Sequence, residues 1–225
     1  MNHFFSQIKV PVNENLFIKD PFSSELGKSV LNGAIVLLEN IGFENFTFKK
    51  LASEIQTTEA SIYRYFESKH KLLLYLINWY WGCVATRLLF ETRNLVTPEL
   101  RLKRAIHVLT AFPISEDSMS FVNENALKKI VINESSKVIQ TKEVDSENNA
   151  GVYSVYKTVV YSVVEIIQEI NKNYPYPNML VSSMIEGSNL QRFFAEHLPK
   201  LTNTDVSNDN VEAFYQDLVF KVIQA

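Results

Sequence analysis

Apolar residues recur at steps of three and four along most of this chain, which is the spacing of one face of an α-helix. The clearest such run precedes Gly42 and consists of Leu26, Val30, Ala34, Leu37, Leu38 and Ile41. Asp20 and Pro21 open it as an N-cap and a first helical residue, and Gly42 stands where a left-handed C-cap residue belongs. With only six glycines among 225 residues, a turn-rich β fold is disfavoured. The pattern predicts an all-α protein.

The same signals divide the rest of the chain into helices. Thr47, Thr58 and Ser68 are candidate N-caps of two short helices and one long one, which reach about 55, 66 and 93. Further helices are expected at about 98–112, 119–140, 151–173, 178–198 and 208–224, with a polar loop at 141–149. The β-branched stretch 159–167 also fits a strand, but its length and spacing favour a helix.

These elements predict an arm and two domains. Residues 1–19 form an arm, residues 20–74 a compact domain of three short-jointed helices, and residues 75–225 a larger C-terminal helical domain.

Charge and cysteine content limit the function classes. The net charge is −3, and residues 1–72 hold eight basic and eight acidic side chains, so any nucleic-acid contact depends on a local surface. The single cysteine, Cys83, excludes an intrachain disulfide and indicates the cytoplasm. The most apolar stretch, 72–90, is interrupted by Asn78, Thr86 and Arg87, so we expect no membrane span.

The segment 42–73 carries the functional signal. Two short helices joined by about two residues have the layout of a helix-turn-helix, whose second helix enters the DNA major groove. The segment resembles the TetR family of transcriptional regulators in the order and spacing of Gly42, Phe46-Thr47, Leu51-Ala52, Tyr63-Arg64-Tyr65-Phe66, Ser68-Lys69 and Leu72-Leu73. It departs from the family at the turn, where Gln56 and Thr57 replace a glycine and a small apolar residue.

The way in which a helix-turn-helix binds the major groove predicts the roles of individual residues in this segment. The first turn of the second helix faces the base edges and contains Thr58, Glu59, Ala60 and Ser61. Glu59 would repel phosphate but can accept a hydrogen bond from a cytosine amino group. Phosphate contacts are predicted for Thr47, Lys49, Tyr63, Arg64, Tyr65 and Lys69, of which Arg64 also has the length to reach a base.

The resemblance implies a homodimer that binds a palindromic double-stranded operator and is released by a small-molecule effector. In that case residues 20–74 are the helix-turn-helix DNA-binding domain, residues 75–225 bind the effector and dimerise, and the arm 1–19 either wraps the DNA-binding domain or reaches DNA. Candidate pocket residues at helical spacing are Trp79, Tyr80, Cys83, His107, Phe112, Phe121, Tyr153 and Tyr156. Each of them also fits an ordinary core position. Candidate dimer-interface residues on the last two helices are Met184, Gly187, Leu190, Gln191, Phe194, Phe214 and Leu218.

No catalytic set, metal-ligand motif or cofactor motif stands out, so an enzyme is not predicted. A competing reading is a helical ligand-binding or interaction protein that keeps the motif but has lost specific operator binding. The balanced charge of the N-terminal region and Glu59 leave room for it.

Overall fold

All regular secondary structure in the described part of the chain is helical. The computed structural model describes residues 10, 12–111, 124–205 and 207–224, without the side chain of residue 124. Its α-helices are α1 (Glu25–Asn45), α2 (Phe48–Glu54), α3 (Glu59–Tyr63), α4 (Lys69–Thr92), α5 (Pro98–Thr110), α6 (Glu124–Glu134), α7 (Ser136–Ile139), α8 (Val144–Asn149), α9 (Ser154–Ile170), α10 (Pro177–His197) and α11 (Val211–Gln224). The all-α prediction is confirmed, and the stretch 159–167 lies within a helix.

Local capping determines where these helices begin. The hydroxyls of Thr47 and Thr58 accept hydrogen bonds from the third residue beyond each of them, and Ser68 does the same for Lys71 at 3.2 Å. Each bond satisfies one of the free N–H groups in the first turn of a helix. The three predicted N-caps are therefore confirmed.

The first helix differs from the prediction at both ends. Asp20 caps only a short 3-10 turn, Pro21–Ser23, and α1 begins after the extended residue Ser24, whose hydroxyl accepts from the Gly27 amide at 3.2 Å. At the other end Gly42 has a φ of 69°, a backbone angle that favours glycine. One further turn follows it, and Phe46 is the C-cap.

Two stretches beyond α5 also differ. The predicted loop at 141–149 is wrong, because α8 occupies most of it, anchored by the buried Glu147. The predicted helix 119–140 is divided into α6 and α7, and its first residues, 119–123, lie outside the described residues.

The chain forms two compact units. The first comprises the described residues within 1–82 and 113–154, and in it α1 packs against α6 and α2. The second comprises those within 83–112 and 155–225, where α11 packs against α5 and α10. The core of the first unit is rich in aromatic side chains, which include Phe46, Phe66, Tyr75 and Trp79.

Residues 12–24, which include the described part of the N-terminal arm, pack into the first unit. Leu16 in the arm is only 1% exposed, and just after the arm the Phe22 ring meets the Trp79 ring edge-on with their centroids 4.9 Å apart. Gly27 lies so close to this segment that a Cβ there would be 2.1 Å from the Pro21 carbonyl oxygen. Residues 12–24 therefore belong to the fold of this unit.

Helix α4 has the length and apolar composition of a membrane span. Of its most apolar window, 72% is buried inside the protein. That burial fits the central helix of a packed core.

Candidate nucleic-acid interface

Helices α2 and α3 are joined by a tight turn centred on Gln56. The Thr57 amide donates to the Ala52 carbonyl at 2.8 Å and the Gln56 amide to the Ser53 carbonyl at 3.3 Å. These are the two bonds of a Schellman motif, which requires a left-handed residue at its centre. Gln56 takes that conformation, with a φ of 52°. The turn therefore has the expected left-handed geometry although the family's glycine is replaced.

Helix α3 presents a polar surface on an apolar base. Thr58, Glu59 and Ala60 are exposed and Ser61 is half-buried, while Ile62 behind them is fully buried. The hydroxyls of Thr58 and Ser61 lie 2.9 Å apart within hydrogen-bonding distance of each other. The first turn of α3 thus combines hydroxyl, carboxylate and methyl groups at the protein surface.

The two tyrosines after this turn have different environments. Tyr63 is 50% exposed, and its ring packs edge-on against Phe48 with the centroids 4.9 Å apart. Tyr65 is only 3% exposed and its hydroxyl lies 2.7 Å from the Ser24 hydroxyl. The carbonyl of Tyr65 also accepts from the Ile18 amide at 2.8 Å, so this residue holds the arm.

The cationic groups also divide into two kinds. The Lys69 ammonium donates to the carbonyls of Phe43 at 2.9 Å and Phe46 at 3.1 Å, and lies 4.5 Å from the centre of the Phe43 ring. It therefore caps the C-terminal end of α1, where carbonyls carry partial negative charge. Lys49 and Arg64 are exposed. Among the described residues, none pairs with the Lys49 ammonium or with the Arg64 guanidinium.

Sequence reasoning missed two acidic residues that brace this interface. Glu134, at the end of α6, accepts from the Phe43 amide at 3.0 Å and pairs with the Lys137 ammonium at 2.8 Å. Glu147, in α8, lies 2.8 Å from His70 Nε2 and accepts from the Tyr153 hydroxyl at 2.8 Å. Both carboxylates are buried, and burial together with the Glu147 contact raises the pKa of Tyr153. Phe43 lies 91 positions from Glu134 and His70 lies 77 positions from Glu147, so no local signal predicts these two contacts.

The six described residues of the predicted pocket are divided between the two units, with Trp79, Tyr80 and Tyr153 in the first and Cys83, His107 and Tyr156 in the second. Trp79 and Tyr80 are buried in the core of the first unit, and Cys83 in the second unit is half-buried. Burial and the nearby Glu186 carboxylate, to which its hydroxyl donates at 2.8 Å, raise the pKa of Tyr156. His107 Nδ1 lies 2.8 Å from Glu212. Phe112 and Phe121 lie outside the described residues.

The predicted interface residues also divide by exposure. Leu190 on α10 and Phe214 on α11 are 48% and 55% exposed, and Gln191, Phe194 and Leu218 are half-buried. Met184 is buried within the chain, and a Cβ on Gly187 would be 2.0 Å from the Tyr215 hydroxyl oxygen. Met184 and Gly187 therefore pack α10 inside its own unit.

The described residues contain no group of three or more His, Cys, Asp or Glu side chains that could hold a metal ion.

Comparison with known proteins agrees with this geometry. Residues 30–76 match the family of bacterial regulatory proteins described as the tetR family. No curated protein matches the chain in sequence.

Solved structures share the fold over most of its length. A tetR-family regulatory protein from Rhodococcus RHA1 is 12% identical and has a TM-score of 0.62, with 89% of this chain and 97% of that one covered. AibR, solved with isovaleryl coenzyme A and operator DNA, is 15% identical with a TM-score of 0.54 and coverages of 85% and 94%. The superantigen PfiT is 16% identical with a TM-score of 0.58 and coverages of 90% and 97%.

The family match covers the helix-turn-helix, and the structural likeness extends over the helices that follow it. Residues 30–76 therefore belong to a tetR-family helix-turn-helix domain, and the chain as a whole shares its helical fold, with a larger C-terminal part, with these solved structures.

Proposed function

We propose that this chain is a DNA-binding transcriptional regulator, not an enzyme, that reads its operator with α3. The observation that carries the proposal is the capped, polar first turn of α3, held at the surface by the buried Ile62. In a helix-turn-helix this turn meets base edges in the major groove. Thr58, Glu59, Ala60 and Ser61 are the proposed base-reading residues.

Phosphate contacts are assigned to exposed side chains near this turn. Tyr63 and Arg64 follow the base-reading turn, and Thr47 and Lys49 open α2. Tyr65 and Lys69 are not assigned to phosphate here, because the Tyr65 hydroxyl lies within bonding distance of Ser24 and the Lys69 ammonium donates to Phe43. We assign them the role of fixing the arm and the end of α1 behind the interface.

Operator recognition by a homodimer is supported by the apolar side chains that α10 and α11 leave exposed. Leu190 and Phe214 are large and about half exposed, and exposed apolar side chains on neighbouring helices are typical of surfaces that bind another protein. In a two-fold dimer, two recognition helices about 34–36 Å apart read a palindrome in successive major grooves. AibR, a protein of the same fold, has been solved with operator DNA.

We further propose that a small molecule bound in the C-terminal part releases the operator. Such release requires only that the ligand bind better to a conformation that fits DNA poorly. AibR has been solved with isovaleryl coenzyme A as well as operator DNA. In this proposal residues 20–74 bind DNA and residues 75–225 bind ligand and dimerise, in the cytoplasm and without a membrane partner.

A selection from a randomised pool of DNA duplexes tests the proposal. The full chain should enrich a palindromic sequence at moderate salt. Tyr63→Phe should weaken binding to every duplex alike, because it removes a phosphate contact, whereas Ser61→Ala should weaken the selected sequence more than a scrambled one. Val36→Ala, on an exposed site of α1, is the matched control. A pool that shows no enrichment contradicts operator recognition.

The second candidate is a helical ligand-binding or interaction protein without specific operator binding. The acidic Glu59 within the first turn of α3 favours it, since a carboxylate there repels phosphate. PfiT has the same fold and is described as a superantigen, so the fold alone does not dictate DNA binding. Glu59→Gln distinguishes the two: a base-reading glutamate predicts altered sequence preference, and a merely repulsive one predicts tighter binding to all duplexes.

A further inference from the structure

The N-terminal arm covers the tyrosine for which the sequence predicts a phosphate contact. Tyr65 is 3% exposed, and its hydroxyl lies 2.7 Å from that of Ser24. Its carbonyl accepts from the Ile18 amide at 2.8 Å, so the backbone of the arm lies directly beside the residue that follows Arg64. Tyr65 therefore has little surface left for DNA.

The arm places a cation at this same position. The Lys19 ammonium lies over the Tyr65 ring, 5.4 Å from its centre. Lys19 is exposed, and no described carboxylate lies within ion-pairing distance of its ammonium. The neighbouring Asp20 carboxylate accepts from the Phe22 amide at 2.9 Å. Because a cation at an exposed aromatic face is held only weakly, the ammonium can turn from the ring toward an anion.

The backbone on both sides of Lys19 is anchored. Before it, Leu16 is 1% exposed, and the Phe17 ring meets the Tyr75 ring edge-on with their centroids 5.8 Å apart. After it, Asp20 caps the 3-10 turn that leads to α1. Lys19 thus projects from a fixed part of the first unit, and its contact with an anion requires no ordering of the arm.

Lys19 also lies close to the base-reading turn. Tyr65 is four residues beyond Ser61, so their Cα atoms are at most about 14 Å apart. The major groove that α3 would enter is about 12 Å wide and is bordered by the phosphates of both strands. A lysine beside the residue that ends this segment is therefore in reach of a bordering phosphate.

Few cations in this region are available for phosphate. Among the described residues up to 72, those that are exposed and without a described partner are Lys19, Lys49 and Arg64. The other described basic side chains bond to a carboxylate or a carbonyl: Lys28, Lys50, Lys69 and Lys71. Affinity for DNA rises with the number of phosphates neutralised, so one more cation in each protomer has a measurable effect.

We propose that Lys19 binds a DNA phosphate beside α3 and provides, from the arm, the contact that the sequence pattern assigns to Tyr65. The proposal rests on the proposed function, because it assumes that α3 lies in the major groove. The arm then both wraps its domain and reaches DNA.

The test compares the salt dependence of duplex binding in the full chain and in Lys19→Met, which keeps most of the aliphatic stem and removes the charge. Loss of one phosphate contact in each protomer should reduce the slope of log affinity against log salt by about 1.8 per dimer. Between 1 M and 0.15 M salt this difference amounts to about 30-fold in affinity. Lys19→Arg should restore the slope, since a guanidinium also stacks on aromatic rings and binds phosphate.

Lys103→Met is the matched control. Lys103 is exposed on α5 in the second unit and has no described partner, so the variant removes the same charge from the chain. It should bind duplex with the slope of the unaltered chain. The melting temperature of Lys19→Met should stay within about 4 °C of the unaltered chain, because the contact with the ring is weak.

Equal slopes for Lys19→Met and Lys103→Met overturn the proposal, and so does a reduced slope that Lys19→Arg fails to restore. A large fall in melting temperature with an unchanged slope assigns Lys19 to the fold alone. Circular dichroism verifies folding, and Lys19→Gln is the second neutral variant if Lys19→Met misfolds.

Each variant is measured on the duplex enriched by selection and on an unselected duplex of the same length, since a phosphate contact does not depend on sequence. If an operator is enriched and Lys49→Met reduces the slope but Lys19→Met does not, only the arm proposal fails. If no duplex is enriched but Lys19→Met reduces the slope on the unselected duplex, only operator recognition fails. A chain that binds neither kind of duplex at low salt overturns both.

Discussion

Replacement of Lys69 by methionine should separate its structural role from a role in DNA contact. The ammonium donates to two carbonyls at the end of α1, Phe43 and Phe46, at 2.9 and 3.1 Å. Methionine keeps most of the aliphatic stem and removes the charge. The variant therefore leaves two carbonyls at a helix terminus without their donor.

The magnitude follows from these two bonds. A hydrogen bond to a charged group stabilises a protein by about 1.5–3 kcal/mol. Because Lys69 is half-buried and water can replace part of the interaction, we expect a loss of about 2–3 kcal/mol for both bonds together. In a chain of this size 1 kcal/mol corresponds to about 2–4 °C, so the melting temperature should fall by about 5–10 °C.

The matched comparison is Lys49→Met, measured with Lys69→Met by thermal unfolding and by duplex binding across a salt series. Lys49 is exposed and assigned to phosphate, so its loss should reduce the slope of log affinity against log salt by about 0.9 per contact, or about 1.8 per dimer, with little change in stability. Lys69→Met should show the opposite pattern. A reduced salt slope with an unchanged melting temperature for Lys69→Met would refute the capping role.

Three further predictions concern the turn, the tyrosines and the interface. Gln56→Gly should raise the free energy of unfolding by about 0.5–1 kcal/mol in urea titration, because glycine adopts a φ of 52° without the cost borne by glutamine; a loss of stability would contradict the Schellman geometry. Tyr65→Phe should cost about 1 kcal/mol of stability through the lost Ser24 bond and leave the salt slope unchanged, whereas Tyr63→Phe should weaken duplex binding at constant stability; the reverse assignment would show that Tyr65 contacts DNA. Phe214→Glu should yield monomers in sedimentation, whereas Val36→Glu, at a similarly exposed site of the first unit, should not; dimers in both variants would exclude the α10–α11 surface.

Local chemistry made much of the fold predictable. Thr47 and Thr58 can be predicted as N-caps because a cap bonds to an amide only three residues away. Gly42 can be predicted as a helix-end residue because a positive φ favours glycine. The exposed first turn of α3 follows from the helical period once its cap is known. These features need no knowledge of distant contacts.

Pairings between distant residues were not predictable in the same way. The local sequence pattern predicts a phosphate contact for Tyr65. Its bond to Ser24, 41 positions earlier, could not be predicted from that pattern. The segment 141–149 is polar and looked like a loop, but Glu147 becomes buried between His70 and Tyr153 and orders α8. In each case a tertiary contact outweighs the local signal.

The buried hydrogen bond from the Phe43 amide to Glu134 makes the helix-turn-helix domain depend on a residue far along the chain. A fragment that stopped after α4 would expose the face of α1 that α6 covers and would strip Phe43 of its acceptor. Moving the helix-turn-helix onto another protein would therefore require moving α6 with it. Evolution that exchanges the two halves of such proteins would have to preserve this carboxylate or find another acceptor for the same amide.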